Sequence, residues 1–214
     1  HDGVTVPRRA LTILALSLLA ASTAAAQSTF SFLKWRSIGP VNTSGRIDDI
    51  AVARVKGEAD AIYIATASGG LWKSSNNGVS FQPVFDGVDA MMSIGAVAVA
   101  PSQPQTVYIG TGEANTRQSS SWGDGVYKSD DAGRTWRPIF DGQPIGSIGA
   151  LAVAPSDPQV IYVGSGEGLH RPDLSVGDGV YRSDDAGRTW THLGLRDGQQ
   201  IPALAVDPRD PHRV

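Results

Sequence analysis

Cysteine is absent from the 214 residues, which excludes a disulfide scaffold, a catalytic thiol and any thiolate metal site. Charge is scarce as well: 18% of residues are ionic, and 21 acids against 18 bases leave a net charge of −3. A chain so nearly neutral has no long-range attraction for nucleic acid or for an anionic membrane. The marks of disorder are also missing, because 41% of residues are hydrophobic and the net charge is small. One domain is the expectation at this length, with apolar content enough for a core. What the chain has in quantity is turn chemistry. Its 25 Gly and 13 Pro, set among β-branched residues, favour short strands joined by many turns.

One long apolar run exists, and it lies at the start. Arg8-Arg9 precedes a mostly apolar stretch over 10–21, and Thr23-Ala24-Ala25-Ala26 offers small residues for cleavage before Gln27. That order reads as a secretory signal over 1–26, too short for a membrane span. The mature chain is expected to be exported, to the periplasm, the cell surface or the medium, with no membrane-spanning segment.

Internal repetition decides the fold class. Ile94-Gly95-Ala96-Val97-Ala98-Val99-Ala100-Pro101 returns 54 residues later as Ile148-Gly149-Ala150-Leu151-Ala152-Val153-Ala154-Pro155. A degenerate third version is Ile201-Pro202-Ala203-Leu204-Ala205-Val206-Asp207-Pro208. Residues 123–136 match 177–190 except at Lys128/Arg182, and a more divergent copy runs from Arg46-Ile47 to Phe81. Within one copy, β-type runs fall at 96–99, 106–109, 125–129 and 136–140, with Pro101-Ser102-Gln103-Pro104 expected to stop the first. Pro138 fits an outer edge strand, since proline gives no ladder donor. Four short strands per repeat, the first of small residues and the last led by an aromatic, predict an all-β fold of β-propeller blades. The Gly and Pro spacing leaves no helix-length window for a helical repeat. Blades are expected at about 44–88, 89–142 and 143–197, with a partial blade at 198–214, all within a domain over 27–214. About three and a half blades is fewer than closed propellers hold, so the chain is expected to be the N-terminal part of a longer protein.

Ser129-Asp130-Asp131-Ala132-Gly133-Arg134-Thr135-Trp136 and Ser183-Asp184-Asp185-Ala186-Gly187-Arg188-Thr189-Trp190 fit the pattern S-x-D-x-G-x-T-W. Ser74-Ser75-Asn76-Asn77-Gly78-Val79-Ser80-Phe81 is a worn copy. In such a turn the carboxylate and hydroxyl bond within a tight hairpin, glycine takes the awkward dihedrals and the indole packs between sheets. Ser129, Asp131, Gly133, Thr135 and Trp136, with Ser183, Asp185, Gly187, Thr189 and Trp190, are therefore assigned a structural role. A calcium loop would need alternating oxygen ligands that are not there.

These turns at blade spacing resemble the BNR/Asp-box propeller group, in particular large secreted bacterial proteins with a sortilin-type propeller. Trp35-Arg36-Ser37-Ile38-Gly39-Pro40 and the segment from Gly110-Thr111-Gly112-Glu113 to Gly125 extend the likeness over most of 32–214. Many such proteins are called glycosyl hydrolases by their likeness to sialidases and xyloglucanases, but fold alone does not carry that chemistry. The sialidase pattern implies an Arg-Ile-Pro, and the nearest matches here are Gln200-Ile201-Pro202 and Arg46-Ile47-Asp48. The xyloglucanase pattern implies a catalytic aspartate two residues before a Gly-Gly, and Ala67 stands there, before Gly69-Gly70.

Candidate ligand contacts lie in the loops joining second and third strands, 110–124 and 164–178, on the face away from the S-x-D-x-G-x-T-W turns. They are Glu113, Asn115, Arg117 and Trp122, then Glu167, His170, Arg171 and Asp173. Trp122 has the chemistry to stack on a sugar ring. Glu113 and Glu167 occupy equivalent repeat positions, as do Asp124 and Asp178, which favours structural hydrogen bonds over chemistry. Arg117 and Arg171 stay open between loop support and ligand contact. His170 has no second histidine at metal-ligand spacing. Gly110-Thr111-Gly112 has no helix after it, which removes a dinucleotide reading. No catalytic residue, metal or cofactor is assigned. The function expected is an exported, non-catalytic propeller that binds protein or glycan. The alternative is part of a xyloglucanase- or sialidase-like glycoside hydrolase whose carboxylates lie mostly outside this chain.

Overall fold

The computed structural model describes residues 46–114, 121–168 and 174–214, all within one compact unit, Ile38–Val214. The signal sequence expected over 1–26, the segment from Trp35 to Pro40, and Asn115, Arg117, His170, Arg171 and Asp173 lie outside the described residues.

Three four-stranded antiparallel sheets follow one another along the chain. The first comprises β1 (Ile47–Ala53), β2 (Ala61–Thr66), β3 (Leu71–Ser74) and β4 (Gln82–Pro83). The second comprises β5 (Ile94–Ala100), β6 (Gln103–Thr111), β7 (Val126–Ser129) and β8 (Arg137–Pro138). The third comprises β9 (Ile148–Val153), β10 (Ile161–Ser165), β11 (Val180–Ser183) and β12 (Thr191–Gly194). Each is a meander in chain order, and the first strands β1, β5 and β9 lie side by side across the three sheets. Small residues make that close approach possible, since β5 reads Ile-Gly-Ala-Val-Ala-Val-Ala. This is the blade architecture, with β1, β5 and β9 innermost and β4, β8 and β12 outermost.

All four strands of the repeat differ in their limits from the sequence reading, and β5 starts at Ile94 and ends at Ala100 rather than spanning 96–99. Gln103 and Pro104 belong to β6 rather than to a stop between strands, because β5 and β6 turn tightly, Ala100 pairing with Gln103. The third strand begins at Val126, after Gly125 with φ 117°. The fourth is only Arg137–Pro138, paired with Lys128 and Tyr127. Pro138 does sit on the outer edge. Residues 201–206 form no ladder, although Ile201 N–H donates to the Ser165 carbonyl (3.0 Å) and Ile201, Leu204 and Val206 pack on Val160, Tyr162 and Val180.

The core lies between sheets. Tyr63, Leu71, Phe85, Ile94 and Ile109 are fully buried in one cluster, and Phe140, Ile148, Val163 and Tyr181 fill the next. The indole of Trp136 stands edge-on to Phe85 at 5.6 Å, and Trp190 edge-on to Phe140 at 4.8 Å. Each tryptophan reaches back one blade: Trp136 Nε1 donates to the Val84 carbonyl and Trp190 Nε1 to the Ile139 carbonyl, both at 2.7 Å.

Candidate functional site

The two ends of the sheets differ in chemistry. At one end lie the repeated turns. Asp131 Oδ1 accepts from Ser129 Oγ (2.8 Å), Arg134 N–H (3.0 Å) and Thr135 N–H (2.8 Å), while Oδ2 accepts from Thr135 Oγ1 (2.7 Å). Asp185 repeats the pattern with Ser183, Arg188 and Thr189. The Thr135 N–H and hydroxyl bonds hold the Asp131 carboxyl down to about 2, against a small opposing effect of burial. For Asp185 burial is the largest influence and opposes, yet the Thr189 and Ser183 bonds together still bring it to about 2. The worn copy keeps the wiring: Ser80 N–H donates to Asn76 Oδ1 (3.0 Å), and Asn76 Nδ2 now donates to Ser80 Oγ (2.9 Å). Sequence reasoning gave the strained dihedrals to glycine. The structure divides them, with Ala132 at φ 61° beside Gly133 at φ 88°. The Asp131 and Asp185 carboxylates thus bond within their own turns.

At the other end, the repeated acids are also engaged. Asp124 accepts from Thr111 Oγ1 (2.8 Å), Tyr127 OH (3.0 Å) and Met91 N–H (3.3 Å), which ties the loop back to β6 and β7. Asp178 accepts from Tyr181 OH and faces Arg196 at 3.5 Å. Burial and then the Asp178 bond push the Tyr181 phenol up to about 12. Glu113 is fully buried and paired with Arg46, whose side chain is 41% exposed. Glu167, 2% exposed, accepts from Ser175 N–H (3.0 Å). Of the other loop candidates, Trp122 alone is both described and exposed.

The inner strands line a half-open cavity of about 440 Å³. Its wall is mostly backbone and small side chains, Gly95, Ala96, Gly149 and Ala150 among them, joined by Ala114 and Gly168 from the loops. Two acids border it, Asp48 and Asp49. Sequence reasoning passed over this pair, although the repeat held the signal: Asp48 aligns with Gly95 and Gly149. All three are bulge positions, where the register slips between Ile47 and Asp49, Ile94 and Ala96, and Ile148 and Ala150. A Cβ on Gly95 would stand 2.5 Å from the Gly112 carbonyl oxygen and 2.7 Å from that of Ile148. Gly112 reaches in because its φ is 93°, a conformation that Ala67, its counterpart in the first blade, does not share. The short first-blade loop thus leaves room for an acid. Asp49 Oδ2 accepts from Val97 N–H at 2.8 Å, linking β1 to β5, and burial pushes its carboxyl up against the pull of that bond. Ala67, 2% exposed, brings no carboxylate. Among the described residues no group of three or more His, Asp or Glu is placed to hold a metal, and no helix is long and apolar enough to cross a membrane.

The fold and its inner cavity define a set of β-propeller blades. No protein-family profile matches the chain. It is 28% identical over 147 residues to a xyloglucanase from Paenibacillus sp, covering 64% of this chain and 13% of that protein. It is 31% identical over 113 residues to an oligoxyloglucan-reducing end-specific xyloglucanase from Emericella nidulans, covering 50% of this chain and 13% of that protein. The chain therefore spans 13% of the length of each of these relatives. Among solved structures it is similar to an ancestral GH74 enzyme, with TM-score 0.58, 19% identity, and 80% of this chain and 22% of that one covered. It is similar also to the GH74 enzyme of Niastella koreensis, with TM-score 0.53, 24% identity, and coverage of 72% and 22%. At these identities the structural likeness establishes the fold.

Proposed function

We propose that this chain is part of a glycan-active propeller of the glycoside hydrolase type, exported by its first 26 residues, in which the axial cavity forms one wall of a cleft for a xyloglucan-like polysaccharide. The observation that carries this reading is the sequence similarity to two xyloglucanases, over 147 and 113 residues. It reverses the weighting drawn from sequence alone, which put a non-catalytic scaffold first. The S-x-D-x-G-x-T-W turns act in this proposal as Asp-boxes that hold blades at about 44–88, 89–142 and 143–197, with a partial blade at 198–214.

Glycoside hydrolysis takes two carboxyl groups, about 5–9 Å apart, one to protonate the leaving oxygen and one to act as nucleophile or base. Asp48 and Asp49 are the acids that border the cavity. Asp48 stands at the bulge position that Gly95 and Gly149 fill in the later blades, so it is the acid assigned to the cleft. The mechanism requires a second carboxyl facing it across the cleft. Full-length protein incubated with xyloglucan should release reducing ends, and Asp48→Asn should slow release by about 100-fold if this carboxyl transfers a proton. Release unchanged by Asp48→Asn would remove Asp48 from the chemistry.

A second reading has one observation in its favour. Ala67 stands where the xyloglucanase resemblance implies an aspartate, so the propeller would bind the polysaccharide without cleaving it. Tight binding of xyloglucan with no product after prolonged incubation would establish that reading over the first.

A further inference from the structure

Trp122 is exceptional among the described tryptophans. Trp72, Trp136 and Trp190 each donate the indole N–H to a carbonyl, those of Gly69, Val84 and Ile139. Trp122 donates to none among the described residues, and the residue is 53% exposed. Leaving an indole in water with its donor unused forgoes both of the things for which tryptophan is usually buried.

The ring is nonetheless backed by fixed backbone. A Cβ on Gly146 would lie 3.3 Å from Trp122 Cε3 and 3.0 Å from Ser175 Cβ, so the ring packs against the Gly146 backbone and an added methyl would press on it. Gly146 is pinned on both sides: its N–H donates to the Val176 carbonyl (2.9 Å) and its carbonyl accepts from Gly123 N–H (2.5 Å). The loops of the second and third blades are thereby stitched together beneath the indole. Val176, the repeat equivalent of Trp122, is 52% exposed, and nearby Leu174 is 38% exposed. An aromatic at one of two equivalent positions is a departure from the repeat, and the blade structure does not require it.

We propose that Trp122, backed by Gly146 and beside the backbone of Val176, is a stacking platform for one pyranose ring of a neutral gluco-configured chain. Such a ring has equatorial hydroxyls and an apolar C–H face; the face covers the indole and a rim hydroxyl accepts from Nε1–H. The platform is a binding subsite apart from the axial cavity. It rests on the glycan reading above and adds where, outside the cavity, a sugar ring of that chain is held.

The test uses full-length protein and a xyloglucan-derived oligosaccharide, with affinity from calorimetry and iodide quenching of tryptophan fluorescence as a second readout. Wild type should bind and gain protection from iodide. Trp122→Ala should weaken binding about tenfold, and Trp122→Phe should stay within about threefold of wild type. Gly146→Ala, which displaces the ring without removing it, should fall between them. Melting temperatures show that each variant is folded. Oligosaccharide binding with equal affinity in wild type and Trp122→Ala overturns the platform and leaves the glycan reading standing. Failure of wild type to bind any neutral glucan overturns both. Protection of Trp122 by an apolar peptide but not by the oligosaccharide overturns the sugar assignment.

Discussion

At the scale of single residues, the chain contains its own substitution experiment. Asn76 stands where Asp131 and Asp185 stand in the later blades, and it makes the same turn with one bond reversed in direction. The charge is therefore dispensable for geometry, while it makes stability depend on pH. Folding lowers Asp131 and Asp185 from 3.8 to about 2, so their contribution is complete above about pH 4 and is lost as pH falls toward 2. The double variant Asp131→Asn, Asp185→Asn should show a flatter fall of melting temperature between pH 5 and pH 2. A slope equal to wild type would mean that these turns do not carry the acid sensitivity. Glu113 presents the opposite case, a fully buried acid paired with the half-exposed Arg46. Glu113→Gln should cost about 1–3 kcal/mol by denaturant titration, because it leaves the guanidinium without its charge partner. An unchanged midpoint would free Glu113 for a ligand role.

At the scale of elements, the bulges at the head of each inner strand govern how closely blades approach. Gly95 and Gly149 each face two carbonyl oxygens within 2.7 Å of a would-be Cβ, and backbone cannot move aside as a side-chain tip can. Gly95→Ala and Gly149→Ala should each destabilise by about 1–3 kcal/mol, read as lowered denaturation midpoints. An unaltered midpoint would show that the inner strands have slack. The repeat made strands, blade order and the internal wiring of Asp131 legible, because each depends on local sequence that recurs at a fixed spacing. Asp48 was not legible as a cavity acid. Its importance comes from a register slip, and from a short loop at the end of the neighbouring strand that opens space beside it. Nor was the reach of Trp136 and Trp190 into the preceding blade, since a repeat pattern locates a residue within its blade and not its partner across the interface.

At the scale of the whole molecule, each blade touches its neighbour through a small number of recurring contacts. Between the first and second, Trp136 donates to Val84 and stands edge-on to Phe85, while Tyr63 OH (3.2 Å) and Lys73 Nζ (2.8 Å) both donate to the Ala132 carbonyl. Between the second and third, Trp190 does the same with Ile139 and Phe140. Stability of such an array is close to a sum of blade terms and nearest-neighbour interface terms, so weakening one interface should loosen coupling across it more than it weakens either blade. Burying a tryptophan fully is worth about 3–5 kcal/mol on truncation, and these indoles are half-buried, so about 2–3 kcal/mol is expected for each Trp→Ala change. Trp136→Ala should let the first blade melt ahead of the second and third, splitting the calorimetric transition. Trp190→Ala should instead separate the third. A single sharp transition in both variants, merely shifted down, would mean that the blades unfold as one cooperative unit and that the tryptophans are ordinary core residues, not couplers between blades.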